Sequence, residues 1–166
     1  MQLSGPPLIA VATGIVGSAW ASGAIMAFSV AGAPAAKDVP QATARVWSGL
    51  YARGASLMPK VAAAVALSYA YAAYETSARG GRWTGFAAAA ASVLAIVPFT
   101  LTCMKKTNAT LQAAADASGD AAAAAQVPGL VDTWSTMNFV RGLFPLVGTV
   151  LGIQALCDNA LWRADR

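Results

Sequence analysis

The sequence predicts an all-α protein: a transmembrane four-helix up-down bundle, with an interfacial helix between the first two spans. Three observations lead there. Of the 166 residues, 57% are hydrophobic and 11% charged, whereas soluble domains carry about 25% charged residues. Uncharged runs near the ~20 residues that cross a bilayer recur along the chain. The hydrogen-bonding and aromatic residues would collect at one end of such a bundle. The length fits one domain, 1–166, with spans at 8–30, 57–76, 83–104 and 138–157.

Residues 1–36 carry no charged side chain. A signal peptide needs a basic leading region, so a retained first span is expected. Its small residues, Gly14, Gly17, Ser22 and the pair Ala19 and Gly23, suit close helix contact. Pro34 and Pro40 mark a break over 33–41. Trp47, Tyr51, Arg45 and Arg53 then read as an interfacial helix, because Trp, Tyr and Arg gather at the membrane–water boundary. Trp47 and Tyr51, four apart, share a face.

The second span is short unless Lys60 snorkels at its start, and Glu75 closes it. Gly80-Gly81 makes a tight turn. The third span is interrupted by Pro98, which leaves the Leu94 carbonyl without its helical partner. Thr100 follows, and Thr107-Asn108 come after two lysines. The alanine-rich stretch 113–125 reads as a surface helix or a loop, broken at Pro128-Gly129. In the fourth span Trp134, Asn138 and Arg141 lie at helical spacing on one face, just before Pro145. A cation and an amide carried into an apolar span are expensive, and such groups usually line an interior or a substrate path.

The composition removes several function classes. There is no histidine, hence no commonest metal ligand or general base. Cys103 and Cys157 fall at opposite ends of a bundle, too far apart for a disulfide, and read as packing residues. The basic residues flank apolar spans, so the net charge of +4 points to lipid headgroups and away from nucleic acid. No internal inverted repeat suggests a transporter. The pocket-side segments hold Lys37, Arg45, Arg53, Lys60, Lys105, Lys106 and Arg141, the other side Arg79, Arg82, Arg163 and Arg166. That balance leans towards a cytosolic pocket.

Trp47-Ser-Gly-Leu-Tyr51-Ala-Arg53-Gly54 with Pro59, the Ile-Val-Pro98-Phe-Thr100 segment with Met104 and Thr107-Asn108, and Trp134 with Asn138 and Arg141 together resemble the anthrone oxygenase family. These are small four-span membrane proteins of fungal polyketide pathways, like the noranthrone and emodin-anthrone monooxygenases. The resemblance implies oxidation of an anthrone to an anthraquinone by dioxygen, with no cofactor and no metal. It also implies a small aromatic polyketide substrate, lipid contact, and residence as a multi-pass protein in the endoplasmic reticulum or a related endomembrane. On this expectation Arg141 stabilises an oxyanion, and Asn138 and Asn108 hydrogen-bond the substrate. Trp47, Tyr51, Arg53, Thr100 and Trp134 line its site. Tyr51, Asp132 or a bound water would take the proton, since arginine stays protonated. The competing class is a non-catalytic four-span protein that binds lipid or serves as an assembly subunit.

Overall fold

The structure, a computed structural model, describes residues 4–117 and 121–161. They form four helical rods and, among the described residues, no strand. Helix α1 runs Pro6–Lys37, with prolines in its first turn, where a missing N–H is harmless, and a π-helical turn at Phe28–Gly32. Helix α2 is Thr43–Ala78. Helix α3 is Thr84–Asp116, disturbed at Ala95 and again by a π-helical turn at Thr100–Met104. Helix α4 is Ala121–Leu161.

Each rod packs on its sequence neighbours, and α4 closes the ring on α1. Every neighbouring pair is antiparallel. Ser18 meets Thr149 while Asn138 meets Ile25; Gly14 meets Tyr69 while Gly32 meets Leu50; Ser92 meets Phe144 while Thr100 meets Arg141. The result is an up-down bundle. Its outer surface is apolar: Val16, Leu67, Leu101 and Val150 are all more than half exposed. A water-soluble monomer rarely shows so much contiguous apolar surface. Three helices, α1, α3 and α4, are long and apolar enough to cross a membrane.

Several sequence expectations change. Residues 43–54 form no separate interfacial helix; they are the opening turns of α2, continuous with the expected second span. The break after the first span shrinks to 38–42, because Pro34 sits in a first helical turn and is tolerated there. Pro128-Gly129 lies inside α4. Ala19 and Gly23 face outward, and nothing approaches Gly23. Cys103 and Cys157 are exposed and free rather than packed. Residues 118–120 and the polar tail after 161 lie outside the described residues.

The end of the bundle away from the expected site is tied together by hydrogen bonds. At the α2–α3 turn the Gly81 N–H reaches the Thr76 carbonyl and the Gly80 N–H the Ser77 carbonyl. Gly80 adopts φ 71°, the left-handed residue this helix stop requires. Buried Asn159 ties α4 to that turn, accepting from the Arg82 N–H at 3.0 Å and donating to the Arg82 carbonyl at 3.0 Å. Deeper, the Tyr69 hydroxyl donates to the Gly148 carbonyl at 3.1 Å and meets Ser18 Oγ at 3.0 Å, which meets Thr149 Oγ1 at 2.8 Å. Buried hydroxyls must be satisfied internally in an apolar medium, so this cluster locks α1, α2 and α4 together.

The Tyr69 ring fits only because glycines face it. A Cβ at Gly14 would fall 2.7 Å from the ring, and one at Gly152 would fall 2.5 Å from the hydroxyl. Gly152→Val should therefore destabilise the bundle by about 1–3 kcal/mol, as overpacking does. Gly23→Ala, in open space, should stabilise by up to about 1 kcal/mol through helix propensity. Thermal denaturation of the purified protein in detergent checks both signs.

Candidate functional site

At the other end the helices part around a pocket of about 210 Å³. Its walls are mostly apolar: Ile25 and Phe28 from α1, Leu50 and Met58 from α2, Ile96 and Leu101 from α3. Four lining side chains bring polar atoms: Tyr51, Thr100, Trp134 and Arg141. Arg141 is the one charged side chain among the lining residues. An apolar cavity with a few converging polar groups is the usual form of a small-molecule site.

The arginine is held by its neighbours. Nη2 donates to Asn138 Oδ1 at 2.5 Å, and Nη1 to Thr100 Oγ1 at 3.2 Å. Thr100 spends its own proton on the Ile96 carbonyl at 2.6 Å, so its oxygen is left to accept from the guanidinium. Asn138 is fully buried. Its Nδ2 donates to the Ile25 carbonyl at 2.7 Å and to Ser29 Oγ at 2.8 Å. A carbonyl can only accept and a guanidinium can only donate, so the amide can point only one way. The Arg141 Nε–H is buried and has no partner among the described residues. A buried unpaired donor is costly.

Other expected site residues separate into two groups. Tyr51, Thr100, Trp134 and Arg141 converge on the pocket. Trp47 is fully buried behind it: its ring stacks on Tyr51 with centroids 5.1 Å apart and meets Trp134 edge-on at 5.7 Å. It braces two lining rings and is not itself a wall. Asn108 is buried with an unpartnered Oδ1, flanked along its helix by Met104 and Leu111 of the same apolar cluster, and is not among the lining residues. Asn138 lies one layer back, its amide already committed. Arg53 is exposed and donates to the Gly49 carbonyl of its own helix at 2.9 Å. Asp132 is exposed, paired with Lys37 at 2.5 Å, and away from the pocket.

Ser29 and the apolar walls carried no mark in the sequence. A serine in the first span could be noticed only as a hydroxyl in an otherwise apolar stretch. Phe28, Met58 and Leu101 look like any other residues of such spans. Among the described residues no group of three or more His, Cys, Asp or Glu could hold a metal.

The family profile described as anthrone oxygenase matches residues 47–151, which hold nearly all of this site. The monooxygenase hypC of Dothistroma septosporum is 36% identical over 82% of this chain and 76% of its own length. The anthrone oxygenase tpcL of Aspergillus fumigatus is 32% identical over 90% and 94%. The anthrone oxygenase nsrD of Aspergillus novofumigatus is 35% identical over 87% and 91%. No solved structure matches the chain. Extended identity to enzymes so named, across the helices that build the pocket, makes this chain an oxygenase of the anthrone oxygenase family.

Proposed function

We propose that the protein oxidises an anthrone to an anthraquinone in an aromatic polyketide pathway, using dioxygen as co-substrate and no cofactor. The observation that carries this is the Arg141 guanidinium, fixed by Asn138 and Thr100, with its buried Nε–H unpaired beside an apolar pocket. The anthrone carbonyl oxygen is the group such a donor suits. Loss of a C10 proton makes the central ring aromatic and places negative charge on that oxygen. Donors aimed where charge develops lower the barrier. The Tyr51 and Trp134 rings offer faces and edges to a flat tricycle.

The anion is electron-rich enough to pass one electron to dioxygen. The radical pair collapses with a new C10–O bond, and protonation gives a hydroperoxide. Loss of water then breaks the O–O bond and removes the second C10 hydrogen as a proton, leaving the quinone carbonyl. One oxygen atom enters product and the other leaves as water. The first proton passes to water at the pocket, since Asp132 lies elsewhere and is paired with Lys37. Asn138 acts as a positioning residue, holding the arginine instead of touching substrate.

The same reading makes the chain a multi-pass membrane protein with four spans. Helices α1 and α3 point the same way in the bundle, so if both cross, the chain must return between them through α2. Its residues 61–74 are uncharged. A membrane site suits a sparingly soluble polycycle.

Arg141→Ala, inserted at normal abundance, should lose about a hundredfold to a thousandfold in kcat, the cost of removing one oxyanion donor elsewhere. Arg141→Lys should fall in between, because it keeps charge and loses the planar fork; turnover of an anthrone under air measures both. Asn138→Asp keeps an acceptor for Arg141 but loses both donors to α1, and should lower kcat with little change in KM. Exhaustive chelation of the purified protein should leave turnover intact. Loss of activity restored by one added metal would overturn the cofactor-free mechanism.

A further inference from the structure

We propose that substrate and product pass sideways between the lipid phase and the pocket, through a gap between α2 and α3 bordered by Ala55, Pro59, Val97 and Leu101. This rests on the reading of the pocket as the anthrone site. Helix α2 packs well against Thr84–Leu94 and against Lys105–Asp116, but scarcely touches the stretch from Ile96 to Met104 between them. The seam is closed at both ends and parted in the middle. The backbone explains why. Pro98 has no N–H to give and crowds the preceding turn, α3 is disturbed at Ala95, and a π-helical turn occupies Thr100–Met104. Pro59 interrupts the hydrogen-bonding pattern of α2 opposite. Irregular backbone at membrane depth persists where it lines a cavity.

The four bordering residues all line the pocket and all are exposed, Leu101 at 63% and Val97 at 43%. The gap therefore opens into the pocket on one side and onto the outer apolar surface on the other. None of the four bordering residues is charged. Among the described residues the polar end offers no comparable route. There Trp47, Trp134, Leu111 and Val131, each nearly or fully buried, pack into one cluster that roofs the pocket. The occupant that fits the gap is a flat, apolar polycycle already dissolved in the bilayer.

The test is stopped-flow binding of an anthraquinone to the full chain in lipid nanodiscs, read as quenching of tryptophan fluorescence; Trp134 lines the pocket and reports on occupancy. Binding of product needs no turnover, so it is independent of the catalytic mechanism. Val97→Phe and Leu101→Phe should slow association and dissociation together, each by about tenfold, as a narrowed passage does. Leu101→Ala should speed both, and guards against misfolding of the larger replacements. Val16→Phe, on the outward face of α1, should change neither. Unaltered rates in all three gap variants would overturn the proposal. So would a change confined to dissociation, which would make these residues ordinary pocket walls. If no anthraquinone quenches the unaltered protein, the pocket is not the anthrone site and both readings fall.

Discussion

A single cation inside an apolar helix governs how this bundle is built. Arg141 cannot shed its charge, and an unpaired charge in a medium of low polarity is prohibitively unstable. The remedy uses three helices. Thr100 from α3 and Asn138 from α4 accept from the two terminal nitrogens, and Asn138 is itself tied to the Ile25 carbonyl and Ser29 of α1. Because each partner in this chain can only donate or only accept at its contact, the geometry has no alternative arrangement of equal energy. A side chain with many rotamers thus becomes a rigid group, and preorganised donors are the ones that stabilise developing charge.

The two ends of the bundle meet opposite demands. Around Tyr69 the helices approach closely enough that Gly14 and Gly152 have no room for a side chain, and hydroxyls from three helices bond one another. Between helices with apolar outer faces the drive to associate comes from close packing and internal hydrogen bonds. That end supplies both, together with the Asn159 clamp on the α2–α3 turn. The other end spends its packing on the buried Trp47 cluster and leaves a cavity below it. Prolines and π-helical turns are concentrated there, at Phe28–Gly32, Pro59, Pro98 and Thr100–Met104. A cavity is tolerable in one half because the other half is tight.

The pocket chemistry suits a substrate that carries most of its own reactivity. A donor for one oxygen, aromatic surfaces for a flat ring system and an apolar wall open to dioxygen are what the lining provides. Binding and anion stabilisation are the task we propose for this pocket, in a chain of the anthrone oxygenase family.

Composition and helical spacing alone determined that the chain is helical, that its helices are apolar enough for a membrane, and that Trp134, Asn138 and Arg141 share a face. Those properties follow from which residues recur at which interval, and neighbours along one helix are visible in one dimension. The same logic brought Tyr51 and Thr100 to the correct end. It could not tell a wall from the layer behind it. Trp47 and Tyr51 share a face of α2, yet only Tyr51 reaches the pocket, because Trp134 from α4 closes over Trp47. Asn138 looked free to bind substrate until Ile25 and Ser29, more than a hundred residues away, claimed its donors. Arg53 was expected to line the substrate site, and faces outward. Whether a side chain is available depends on what the other helices place against it, and only the tertiary structure decides that.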